Sequence, residues 1–228
     1  MAMFDFILNS PMASIKELMN WVDLSGHHQD DLIEAYAAHS RGYHNLYHIA
    51  FLWDAHCRLG GPRDSKAHRR IANAIACHDV VYNATSKINE HQSALWWAAK
   101  VRIHDTEPKR WSESATNHAD KLWVVGAIEA TADHFADRPM NIEDDILLQW
   151  FLGLDLISLA APWNMFVRNT MLIRAEYSHL SDTEWNSGRE AFLIKARDAT
   201  VIYRHPKLFD LFEDLAKANI NRALAEIA

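Results

Sequence analysis

The chain has 228 residues, 49% hydrophobic and 23% charged, which suits a folded protein with a large core and excludes a disordered one. A formal charge of −7 argues against general binding to nucleic-acid polymers or anionic membranes, but leaves room for a local basic patch. The two cysteines, Cys57 and Cys77, have neither zinc-site nor disulfide-framework spacing.

Apolar residues recur at helical spacing along almost the whole chain, and the Gly and Pro residues fall mostly between the periodic segments. The pattern predicts helices over Ser14–Val22 and Gln29–His39, then one opened by Gly42 over Tyr43–Leu59. Gly60-Gly61-Pro62 stops that helix, and Lys66–Tyr82 follows. A polar loop, Asn83–Lys87, precedes Asn89–Ile103. Further helices are expected over Ser114–His134, Ile142–Leu159, Trp163–His179, Thr183–Tyr203 and Lys207–Ile227. No alternating run suggests a sheet, and no repeat divides the chain. The expectation is an all-α, single-domain helical bundle over residues 1–228. Cys77 sits in an apolar run and reads as a small buried hydrophobe. No stretch approaches a membrane span, and the start lacks a signal-peptide pattern, so a cytoplasmic protein is expected.

The chemistry concentrates in Tyr43-His44-Asn45-Leu46-Tyr47-His48 and in the dipeptide His78-Asp79. Imidazole and carboxylate suit borderline divalent metals. His44 and His48 are expected on one helical face, and His78 and Asp79 can grip an ion from two sides. A further ligand should come from a distant helix. Asp155 is the candidate, because it lies in the apolar stretch Trp150–Ile157, where a carboxylate is costly without a cationic partner. The metal set is therefore His48, His78, Asp79 and Asp155. Its ion would be divalent, with Mn, Co, Ni, Zn, Fe and Mg all open.

These residues resemble the metal signature of the HD superfamily of metal-dependent phosphohydrolases. Tyr43-His44-Asn45 with His48 is also similar to a segment of cyclic-nucleotide phosphodiesterases, where the second His binds metal and the first protonates the leaving oxygen. The match to those enzymes fades at Phe51, where they carry Asp, and no His-Pro-Gly follows His78-Asp79. A bacterial family of HD phosphohydrolases resembles the chain more widely, through Arg41–His48, His78–Tyr82, Asn89-Glu90 with Ser93-Ala94, Thr131 with His134, Leu154–Leu156, Ile173-Arg174 with Glu176-Tyr177, and Gly188-Arg189. An Asp often stands in that family two residues before the Asp155 position; here it is Gly153. The resemblance implies an HD-type helical fold and phosphoester hydrolysis.

Around the ion, His44 is the candidate general acid and Asp79 and Glu90 the other catalytic candidates, Glu90 to orient the attacking water. A histidine satisfied by a carbonyl and a helix-opening glutamate are the plainer alternatives. Arg41, Asn89, His134 and Arg174 are candidate substrate contacts, since a guanidinium fork fits phosphate oxygens. Arg41 could equally cap the preceding helix, and Arg174 could form an ion pair with Glu176 or Glu143. The first reading is hydrolysis of a small phosphorylated metabolite, with nucleotides included. The second is di-iron oxygen chemistry of the kind some HD-type proteins perform with two extra histidines; His104 and His134 stand in the corresponding interval. The third is a nucleotide-binding sensor without turnover. A homodimer is compatible with all three.

Overall fold

The computed structural model describes residues 11–101, 117–136 and 142–227. Among the described residues the chain forms ten α-helices and two short 3-10 turns, and no strand. The fold is all-α, as the periodicity predicts. Its contacts divide it into two compact units, Ile7–Ala132 and Asp133–Ala228.

The first unit holds α1 (Pro11–Met19), α2 (Gly26–Tyr36), α3 (Leu46–Arg58), α4 (Ser65–Cys77), α5 (Asn89–Lys100) and α6 (His118–Ala130). Helix α4 is central, packed against α1, α3, α5 and α6. Three of its alanines, Ala72, Ala74 and Ala76, are buried and let neighbouring backbones approach closely. Several polar groups inside are paired with one another. Asn73 receives Trp97 Nε1–H at 2.9 Å and donates to Asp23 at 3.1 Å, and Arg70 meets Asp120 at 2.6 Å. Side chains start the helices: Asn45 caps α3, Asp64 caps α4 and Asn117 caps α6, each accepting a backbone N–H of the first turn. Gly60, at φ 67°, ends α3 in the left-handed region.

The second unit holds α7 (Ile142–Asp155), the 3-10 turn Leu156–Ala160, α8 (Trp163–Glu176), α9 (Asp182–Asp198) and α10 (Pro206–Ile227). Helix α10 buries Leu208, Phe212, Ala216, Ile220 and Ala223, a single stripe facing α9 and the 3-10 turn. Helix α9 opens on a reciprocal capping box between Ser181 and Glu184. No single described helix is long and apolar enough to cross a membrane.

Most helix ends differ from the periodicity by a few residues, and three of them lie beside candidate site residues. Helix α3 starts at Leu46 rather than Tyr43, because the Asn45 side chain accepts the Tyr47 N–H at 2.9 Å and holds the backbone extended. His44 therefore precedes the helix and does not share a helical face with His48. Helix α4 stops at Cys77, and α7 gives way to a 3-10 turn after Asp155. The expected continuation to Tyr82 fails because the Tyr36 hydroxyl and Ser93 Oγ take the Asp79 and Val81 N–H groups that another helical turn would donate, and the segment expected as helix up to Leu159 continues as the 3-10 turn to Ala160.

Candidate metal centre

In the first unit His48 lies in the opening turn of α3 and His78 caps the end of α4. Both side chains are almost wholly buried, at 2% and 1% exposed, and their Nε2 atoms stand 3.2 Å apart. Asp79 Oδ2 lies 3.1 Å from His78 Nε2 and 3.8 Å from His48 Nε2. Ligands about 2.1 Å from a shared ion sit roughly 3.0 Å apart at right angles and roughly 3.4 Å apart at the tetrahedral angle. The two shorter separations fit that range, and the third is somewhat wider.

The hydrogen bonds sharpen this fit. His78 Nδ1 lies 3.0 Å from the Ile75 carbonyl, which only accepts, so Nδ1 carries the hydrogen. A neutral His78 then turns the lone pair of Nε2 toward the Asp79 carboxylate. Two electron-rich atoms at 3.1 Å repel unless a cation lies between them or the imidazole takes a second proton. A carbonyl-bonded Nδ1 with an outward Nε2 is the usual arrangement of a metal-ligating histidine.

In the second unit Asp155 ends α7, and its Oδ2 lies 2.8 Å from His134 Nε2. Both side chains are mostly buried, at 13% and 15% exposed. His134 thus orients a carboxylate. Tyr203, fully buried, donates its hydroxyl to Leu156 O at 3.0 Å, and Arg204 donates to the carbonyls of Phe135 and Ala136, each at 3.0 Å. The sequence reading missed both residues, because a tyrosine and an arginine bonding to carbonyls leave no spacing signal. Gly153 has a packing reason: a Cβ there would stand 2.6 Å from Leu208 Cδ1 and 3.5 Å from the Tyr203 ring. A second carboxylate at that position would enter an apolar contact.

His48 and His78 of the first unit and Asp155 of the second are all residue types that ligate divalent metals. His44, half-buried, stacks on Tyr82 with ring centroids 4.5 Å apart and stands 5.8 Å from the His48 ring. Glu90 is half-buried in the first turn of α5. The remaining candidates are engaged with the protein itself. Asn89 accepts from Asn83 N and donates to Asn83 O, both at 3.0 Å, which clamps the loop before α5. Arg174 bonds the carbonyls of Tyr177 and Leu180 and pairs with Asp182 at 2.8 Å, joining the end of α8 to the start of α9. Arg41 bonds the carbonyls of His44, Asp79 and Val80. His104 lies outside the described residues. Compared with known proteins, the chain matches no family model and no curated protein.

Proposed function

We propose that the chain is a metal-dependent phosphohydrolase of the HD type, acting on a small phosphorylated metabolite such as a nucleotide. Its divalent ion would be held by His48, His78, Asp79 and Asp155. The observation that carries this reading is the buried convergence of His48 Nε2, His78 Nε2 and Asp79 Oδ2, with the His78 lone pair directed at a carboxylate. A divalent ion in such a site polarises a phosphoryl oxygen and lowers the pKa of bound water.

The chain's own groups do the rest. His44, held face to face with Tyr82, protonates the leaving oxygen. Glu90 orients the attacking water, and His134 fixes the Asp155 carboxylate. Net charge of −7 favours a compact substrate over a polyanion. The decisive experiment is a screen of phosphorylated metabolites with Mn²⁺, Co²⁺, Ni²⁺, Zn²⁺ and Mg²⁺ supplied separately. Phosphate release dependent on one of these ions supports hydrolysis. Ligand-induced stabilisation without turnover would replace it with the sensor reading.

A dinuclear oxygenase keeps one observation in its favour, the His134 contact with Asp155. Two irons per chain and a visible charge-transfer band would select it.

A further inference from the structure

Arg41 is 8% exposed, and its guanidinium is spread over three carbonyls from two segments. Nη1 donates to Asp79 O at 2.6 Å and to His44 O at 3.2 Å, and Nη2 donates to Val80 O at 2.8 Å. The carbonyls of Asp79 and Val80 lie just past the end of α4, outside the helix's own hydrogen-bond ladder. The Asp79 N–H, in turn, donates to the hydroxyl of the buried Tyr36 at 3.2 Å. The guanidinium also lies between two rings, 4.9 Å from the centroid of Tyr36 and 5.5 Å from that of Tyr82. Tyr82 then stacks on His44. Tyr36, Arg41, Tyr82 and His44 thus form a continuous column beneath the turn that carries His78 and Asp79.

We propose that Arg41 is a positioning residue, which fixes the His78-Asp79 turn and the His44 segment relative to each other, and that it is not a phosphate-binding group. Three features argue for this. An arginine that recognises phosphate presents its fork to solvent or ligand, whereas this fork is buried and directed at backbone oxygen. Charge-assisted bonds to carbonyls are stronger than neutral ones, and removing them leaves buried acceptors unpaired. The contacts also connect the residue next to each side of the site: the His44 carbonyl on one and the Asp79 and Val80 carbonyls on the other. Ser93 completes the clamp by accepting the Val81 N–H at 3.0 Å and donating to Val81 O at 3.2 Å.

The consequence for metal binding rests on the proposed metal centre; the consequence for the turn does not. Lysine at position 41 keeps the charge but cannot reach three carbonyls with one ammonium. In metal-free Arg41→Lys, amide exchange from Asp79 to Tyr82 should quicken at least tenfold, while the middle of α3 and of α4 keeps its protection. With Co²⁺ as the probe, the same variant should bind at least tenfold more weakly than wild type and show a shifted d–d band. Tyr36→Phe, which loses one hydroxyl and keeps the ring, should reproduce a smaller part of both effects. Unchanged exchange at Asp79–Tyr82 would overturn the positioning role. So would wild-type Co²⁺ affinity combined with weakened binding of inorganic phosphate, which would return Arg41 to substrate recognition. Faster exchange in the variant together with no Co²⁺ uptake by the wild type would uphold the positioning of the turn and remove the metal centre alone.

Discussion

Asp79 serves through both its side chain and its backbone. The carboxylate stands 3.1 Å from His78 Nε2, while its carbonyl accepts from Arg41 and its N–H donates to Tyr36. Removing the carboxylate leaves those backbone bonds in place. Asp79→Ala should therefore abolish metal uptake and turnover with little change in helical content by circular dichroism; stoichiometric metal by elemental analysis would refute the ligand assignment. His44 is a different case, because nothing about its ring distance of 5.8 Å from His48 requires it to bind the ion. His44→Asn should keep the metal and lower kcat by about 10²–10⁴-fold. The loss should shrink for a nitrophenyl phosphate ester, whose leaving group needs no proton. An equal loss on both substrate types would mean that His44 only positions the substrate.

At the scale of elements, helix identity was legible and helix ends were not. Apolar spacing located all ten described helices, because each buries an apolar face, which in α4 extends over most of the helix. Periodicity carries no information about a distant side chain that takes a backbone N–H, as Tyr36 takes that of Asp79 and Ser93 that of Val81, so α4 ends earlier than its apolar pattern. The candidate ligands were legible as residue types, whereas the holding groups Tyr36, Tyr203 and Arg204 were not. The α3–α4 hairpin also carries a second histidine pair that spacing did not reveal. His56 Nε2 lies 2.9 Å from His68 Nδ1, beside the Gly60–Pro62 turn. Gly61 has no room for a Cβ, which would fall 2.2 Å from His56 Nδ1. Burial, then His68, then Arg63 push the His56 pKa down to about 3, and burial lowers that of His68 as well, opposed by the hydrogen bond to the Pro62 carbonyl. A histidine with a lowered folded pKa binds fewer protons than the unfolded chain. Its neutral form is thus stable above about pH 6.5, and stability falls as pH drops from there toward about 3. The slope is up to about 1.4 kcal/mol per pH unit for each such group. In the presence of chelator, the loss of stability between pH 6.5 and 5 should be smaller for His56→Gln than for wild type, measured by urea denaturation. Parallel slopes would mean that the pair does not control acid sensitivity.

Over the whole molecule, the proposed ligands are divided, with His48, His78 and Asp79 in Ile7–Ala132 and Asp155 in Asp133–Ala228. An ion that binds the native chain and not the unfolded one stabilises it by mass action, by about 2.7 kcal/mol when free metal is 100 times its Kd. For a chain of this length that corresponds to a rise in Tm of about 5–10 °C. If Asp155 is a ligand, the stabilisation requires the second unit to be folded as well as the first. Asp155→Ala should then lose most of the metal-dependent rise. His134→Ala should keep part of it, because it removes only the group that orients the carboxylate. The measurement is thermal unfolding of each variant with Co²⁺ and with excess chelator, at one protein concentration. A full metal-dependent shift in Asp155→Ala would confine the ion to His48, His78 and Asp79. Its folding linkage would then belong to the first unit alone.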